Sequence, residues 1–177
     1  MARSFDLDGA IRKVPDFPKP GILFYDITSI LVDPEAFRYC IEAMIERYRD
    51  EKLAGVVAIE SRGFIFAAPF CEKLGIPLLL ARKKGKLPGK TIGASYALEY
   101  GVAEIEMHEA DIPKGGRVLI VDDLIATGGT VEAVASLLRK GGAVPIGAFA
   151  VVGLPFLEYS KSLGNLPIHT LIEYHGE

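Results

Sequence analysis

Four short, unbroken apolar runs constrain this chain most: Val56–Ile59, Pro77–Ala81, Val118–Val121 and Ala148–Val152. A run that is apolar at both alternations has no solvent face, so each reads as a strand buried on both sides. The stretches between them have helical spacing. Asp33-Pro34 supplies an Asx cap followed by proline at the first helical position, and Phe37, Ile41, Met44, Ile45 and Tyr48 recur behind it every three or four residues. Gly63–Leu74 and the segment carrying Val131, Val134, Ala135 and Leu138 read as two further helices. Strands alternating with helices predict βαβ units, hence one α/β domain with a mostly parallel central sheet flanked by helices. Ala94–Met107, interrupted at Gly101, alternates as a two-stranded hairpin. Lys83–Thr91 holds four lysines, two glycines and a proline with no apolar period, and reads as an exposed, mobile loop.

Composition removes several classes. The chain has 177 residues, 50% of them hydrophobic and 24% charged, which is globular usage for one domain. Its net charge of −3 gives no global attraction to nucleic acid or to a membrane surface. The longest uncharged stretch, Gly141–Leu157, is 17 residues broken by Pro145 and Pro155, too short and interrupted for a membrane span. Met1–Asp6 holds no signal-peptide core, and Cys40 and Cys71 stand apart with no metal spacing, so the expectation is a cytoplasmic protein with two reduced thiols. His108, His169 and His175 fall in no metal or triad spacing.

The chemistry concentrates between Val118 and Thr130. The apolar run Val118–Val121 is predicted to end at two adjacent acids, Asp122 and Asp123, followed by a small-residue turn and a helix. Ligands of open α/β sheets bind beyond the carboxyl ends of the strands, where these residues fall. Thr127-Gly128-Gly129-Thr130 offers backbone N–H groups, two hydroxyls and a helix N-terminus, a cradle for a phosphate monoester. Asp122 and Asp123 can accept from a vicinal diol such as that of a ribose. Acids beside an anion cradle would repel a bare polyphosphate, so a sugar between the two charges fits better. A second edge segment, Glu60-Ser61-Arg62-Gly63, follows another buried strand. Its residues suit either a diphosphate or an ordinary turn with a solvated arginine. Gly89-Lys90-Thr91 mimics the end of a P-loop, but the glycine such a loop requires five residues earlier is Lys84, which excludes it.

The stretch Val118–Thr130 resembles the phosphoribosyl-pyrophosphate signature of the type I phosphoribosyltransferases. Phe17–Ile27, Glu60–Phe64, Leu87–Gly89 and Tyr96–Gly101 are similar, in register, to the family of adenine phosphoribosyltransferases, and the likeness runs from about Ile11 to Glu173. It implies the type I phosphoribosyltransferase fold over residues 1–177, with residues 1–34 as a small N-terminal hood that helps form the base site. The implied activity is purine salvage: adenine and 5-phosphoribosyl 1-pyrophosphate giving AMP and pyrophosphate, with magnesium held mainly through the phosphoribosyl donor rather than by protein ligands. A homodimer is implied as well. By the same resemblance Asp122 and Asp123 hold the ribose, and Ala126, Thr127, Gly128, Gly129 and Thr130 the 5-phosphate. Ser61, Arg62, Lys83 and Lys86 meet the pyrophosphate, with Lys84 and Lys90 peripheral, and the Glu60–Ser61 peptide is expected to be cis. Leu23, Phe24, Tyr25 and Leu154 take adenine, Leu23 and Tyr25 through their backbones. Many relatives carry arginine at position 25. Glu99 is the catalytic acid, on a loop that closes over the substrates.

Two other readings stand beside this one. A transferase for another purine would share every phosphoribosyl contact, and a non-catalytic sensor of the same donor would share the cradle but not need Glu99.

Overall fold

The computed structural model describes residues 5–97 and 102–176. Seven strands form one sheet in the order β5-β6-β4-β3-β7-β8-β9, with β3 at Gly55–Ile59, β4 at Leu78–Lys83, β5 at Thr91–Ala97, β6 at Val102–His108, β7 at Arg117–Ile125, β8 at Val144–Gly153 and β9 at Ile168–Glu173. Strands β4, β3, β7, β8 and β9 run parallel, and the β5–β6 hairpin adds antiparallel to the β4 edge. A separate two-stranded sheet, β1 (Arg12–Pro15) with β2 (Leu23–Asp26), lies with two one-turn helices, α1 (Leu7–Ala10) and α2 (Thr28–Leu31), at the N-terminal end of the described chain.

The apolar runs split by parity as a two-faced sheet requires. Leu119 and Val121 of β7 pack with Phe66 and Phe70 of α4 (Gly63–Leu74) and with Cys40 and Met44 of α3 (Pro34–Tyr48). Val118 and Ile120 face Val134, Leu137 and Leu138 of α5 (Gly129–Lys140) on the other side. Phe66, Phe70 and Phe149 are fully buried, each contributing about 1.5–3 kcal/mol of transfer free energy. The α3 cap is as expected: Asp33 Oδ1 accepts from the backbone N–H of Glu35 at 2.9 Å and of Ala36 at 3.1 Å, with Pro34 opening the helix.

Three boundaries differ from expectation. β4 extends two residues past Ala81, so Lys83 ends a strand rather than opening a loop. β8 begins at Val144, with Pro145 and Gly147 accommodated beside a register shift at Val118/Leu119 of β7. Most important for the site, β7 does not stop at Val121. Its pairing with β3 ends at Ala58↔Val121, but its pairing with β8 continues through Asp122↔Ala150 to Ile125↔Gly153. The two acids are therefore strand residues, standing past the last β3–β7 pair with that edge of β7 open.

Candidate functional site

The open notch is closed by the turn that follows β3. Glu60–Ser61 is a cis peptide, as the resemblance implies, and Ser61 and Arg62 are exposed at the start of α4. Arg62 Nε donates to Asp123 Oδ2 at 2.7 Å, spanning the gap from the β3–α4 turn to β7. Asp123 is 5% exposed, so this cation is its main compensation. The Asp123 backbone N–H donates to Asp122 Oδ1 at 2.9 Å. Burial raises the Asp122 carboxyl well above its ordinary range, and the negative Asp123 beside it adds to the rise. The two acids stand side by side against their mutual repulsion, which favours a proton on Asp122.

Position 63 must be glycine for this arrangement. A Cβ there would lie 2.7 Å from the Val121 carbonyl oxygen and 3.1 Å from Asp122 Cα, so α4 starts in direct contact with β7. Gly128 caps α5 with φ at 80°, a left-handed conformation, and a Cβ on it would crowd Leu163 and the Tyr159 carbonyl. The first amides of α5 have no intrahelical acceptor, and they open onto a hollow of about 110 Å³ lined by Asp122, Leu124, Ile125, Ala126, Thr127, Gly128, Thr130 and Val131. Asp122, one of the two expected ribose acids, and all but Gly129 of the expected phosphate cradle thus line one small cavity, while Asp123 turns instead to Arg62. Roomier hollows of about 410 and 510 Å³ lie around Arg47 and His169, lined by other segments of α3, β8 and β9 and by none of these groups.

The basic segment is more ordered than its composition predicts. Arg82 is committed to Glu60, Nε at 3.2 Å and a terminal nitrogen at 3.1 Å, and its other terminal nitrogen donates to the Lys86 carbonyl at 3.1 Å. The Arg82 guanidinium first, then the Lys83 backbone N–H, hold the Glu60 carboxyl below its ordinary range against burial. Lys84 pairs with Glu104 at 2.6 Å and Lys90 with Glu109 at 2.7 Å. Lys83 and Lys86 have no carboxylate partner among the described residues, which separates the same two lysines that the resemblance selects. The expectation of a loop with nothing to hold it is corrected: the backbone N–H groups of Gly85, Lys86 and Leu87 all donate to Glu106. Glu60, Arg82 and Glu106 are structural members of the site that the sequence reading did not single out.

On β2, Leu23 and Phe24 are half-buried, and Phe24 meets Phe17 edge-on at 5.0 Å between ring centroids. Tyr25 is buried. Its ring stacks on Tyr174 at 3.8 Å and its hydroxyl donates to the Gly176 carbonyl at 3.3 Å, so its side chain serves the packing of the C-terminal segment. Tyr174 in turn donates to Asp8 at 2.7 Å, and Lys13 pairs with the same carboxylate at 2.6 Å. Leu154 follows β8, 9% exposed, with its N–H donating to Ile125. Glu99 lies outside the described residues.

A mostly parallel sheet flanked by helices, whose strand β7 carries an adjacent acid pair and leads through a small-residue turn into α5, is the type I phosphoribosyltransferase fold, and the phosphoribosyl transferase domain family matches residues 26–159. The adenine phosphoribosyltransferase of Treponema denticola is 64% identical over 171 residues, covering 97% of this chain and 90% of its own. The crystal structure of adenine phosphoribosyltransferase from Thermoanaerobacter pseudethanolicus superposes with a TM-score of 0.91 at 41% identity, over 96% of this chain and 98% of that one. The Saccharomyces cerevisiae enzyme, complexed with adenine and an imino-altritol bisphosphate, superposes with a TM-score of 0.89 at 37% identity over 94% and 97%. This chain belongs to the adenine phosphoribosyltransferase family.

Proposed function

We infer that the protein carries out the reaction its family is named for: it is a purine salvage transferase that converts adenine and 5-phosphoribosyl 1-pyrophosphate into AMP and pyrophosphate. The observation that carries this is the 2.7 Å Arg62–Asp123 bond, which ties a turn suited to a diphosphate to acids suited to a ribose, beside the small cavity at the start of α5. In this reading the donor's 5-phosphate sits against Ala126–Thr130, with its 2- and 3-hydroxyls donating to Asp122 and Asp123. The diphosphate meets Ser61, Arg62, Lys83 and Lys86. Adenine lies against Phe24 and Leu154, within the N-terminal hood of residues 1–34, its edge met by backbone groups of Leu23 and Tyr25.

The C1–O bond to the diphosphate breaks with its electron pair leaving on the diphosphate, and positive charge develops on C1 and the ring oxygen. The purine nitrogen bonds to C1 and gives up its proton. Arg62, Lys83 and Lys86 stabilise the leaving group where its charge grows. The acids, hydrogen-bonded by the diol, keep their negative charge beside the cationic ring and favour it. Glu99, carried in by loop closure, takes the purine proton or stabilises that charge and helps exclude water.

Among the described residues no three His, Cys, Asp or Glu side chains gather as a metal-ligand set. Magnesium would enter with the phosphoribosyl donor, and Asp122 and Asp123 would be the protein carboxylates available to it. When bound there, the ion supplies charge neutralisation to the diphosphate. A homodimer and a cytoplasmic location belong to the same reading. No helix among the described residues is long and apolar enough to cross a membrane.

Steady-state assay with adenine, guanine, hypoxanthine and xanthine is the test. Turnover confined to adenine is expected. Preference for a 6-oxopurine overturns the base assignment, and donor binding without turnover of any base favours the sensor reading instead.

A further inference from the structure

Strand β6 carries two glutamates on one face, two residues apart, with opposite fates. Glu104 is half-buried, its side chain 41% exposed, and pairs with Lys84. Glu106 is 7% exposed, with one carboxylate oxygen committed to the turn after β4 and the other to the first residue of β5. Its Oε1 accepts from the backbone N–H of Gly85 at 2.9 Å, Lys86 at 3.1 Å and Leu87 at 3.2 Å, and its Oε2 from the Thr91 hydroxyl at 3.1 Å. Three successive amides converging on one anion form a nest of the kind that binds phosphates, here filled by the protein's own side chain. Burial alone would raise this carboxyl, but the Leu87, Thr91, Gly85 and Lys86 donors outweigh it and hold the group below its ordinary range. The opposite flank of the same turn is fixed by Glu60, which takes the Lys83 N–H at 2.9 Å, and by Arg82, which bonds the Lys86 carbonyl. Lys83 and Lys86 therefore extend from backbone held on both sides.

We propose that Glu106 is a positioning residue for the transfer: by gathering the amides of residues 85–87 it sets Lys83 and Lys86 toward the diphosphate before the donor arrives. This rests on the reading that those two lysines meet the diphosphate. Cations that are already set need no ordering on binding, so the benefit falls on donor affinity. Glu106 touches neither substrate. Its negative charge is spent on amides, which leaves both lysine charges available to the ligand.

The test combines Glu106→Gln with Lys86→Ala. Glutamine keeps the size but turns charge-assisted bonds into neutral ones, and the expected rise in KM for the donor is about tenfold, equivalent to about 1.4 kcal/mol. The KM for adenine should stay within about twofold, and kcat should fall by less than the donor KM rises, since the two lysines both bind the diphosphate and meet its growing charge. Lys86→Ala alone should also raise the donor KM, and its effect should shrink in the Glu106→Gln background, because a lysine that is no longer set has less to lose. Hydrogen exchange at residues 85–87 in the substrate-free protein should quicken. Thr91→Val removes one of the four bonds without touching the charge; it should raise the donor KM about twofold to threefold and carries the test should Glu106→Gln not fold. If Lys86→Ala leaves the donor KM unchanged, the diphosphate reading of this loop fails and the proposal falls with it. If Lys86→Ala raises it while Glu106→Gln and Thr91→Val do not, or the effects simply add, the positioning role is overturned and the reading of the loop stands.

Discussion

Arg62→Met keeps much of the side chain's apolar length but deletes the guanidinium that donates to Asp123. The Arg62 side chain is 46% exposed and that of Asp123 only 7%, so the pair lies between a surface bridge and a buried one. Exposed pairs are worth about 0.2–1 kcal/mol, and removing one partner of a buried pair costs about 3–5 kcal/mol. The 2.7 Å contact and the burial of the carboxylate put this bond at about 2 kcal/mol, the value for a hydrogen bond to a charged group. For a domain of this size that loss lowers Tm by about 4–8 °C. Adding Asp123→Asn should recover much of it, because the uncompensated charge disappears, and the two changes should couple by at least about 1 kcal/mol. Activity should not recover, since both the diphosphate cation and a ribose acceptor are then gone. Urea denaturation of the parent, both single variants and the double variant measures the coupling. An Arg62→Met protein within about 0.5 kcal/mol of the parent would falsify the view that this bridge compensates Asp123.

Asp122 has a raised carboxyl, so the folded state binds its proton more tightly than the unfolded chain does. Its contribution to stability is greatest below the unfolded value of about 3.9 and is lost as pH rises from there toward the raised folded value. Asp122→Asn should accordingly be more stable than the parent at neutral pH, by a margin that narrows as denaturation is repeated toward pH 4, while its KM for the phosphoribosyl donor rises. Glu99→Gln should lower kcat by about a hundredfold, the usual scale of acid–base assistance, with much smaller changes in substrate affinity; equal losses in kcat and binding would remove the catalytic role. Tyr174→Phe, which deletes the hydroxyl bonded to Asp8 at 2.7 Å, should cost about 1 kcal/mol in thermal denaturation, and no loss would make that bond incidental.

Four of the five parallel strands were legible because each announces itself by an apolar run with no polar face, whereas β9, Ile168–Glu173, mixes His169 and Thr170 with its apolar residues and was missed; Asp33-Pro34 marks a helix start that needs no tertiary information. The turn into α5 was legible as a break between strand and helix, because Gly128 and Gly129 interrupt both periods. Tertiary pairing hid the rest. β7 continues past Val121 only because β8 is long enough to pair with it, and nothing local in Asp122-Asp123 signals strand. Glu104 and Glu106 have the same parity and nearly the same neighbours in sequence, and only the path of the turn above them buries one and leaves the other half-buried. The composition of residues 83–91 correctly indicated exposure of their side chains, but the bonds that hold their backbone come from residues about twenty positions away.

Gly63 has a consequence for which sugars the protein accepts. Because α4 begins against the β7 backbone, with a carbonyl oxygen 2.7 Å from where a methyl group would stand, the separation between the β3–α4 turn and the turn into α5 has no adjustable spacer; the proposed function makes these the diphosphate and 5-phosphate sites. In the proposed reading those two anion sites grip opposite ends of the donor, and the ring between them must span one fixed length. The bare backbone contact then acts as a gauge. A donor with a longer carbon chain between its anionic groups would overrun it however well each end fitted alone, and Gly63→Ala would reset the gauge without altering a single group that touches the ligand.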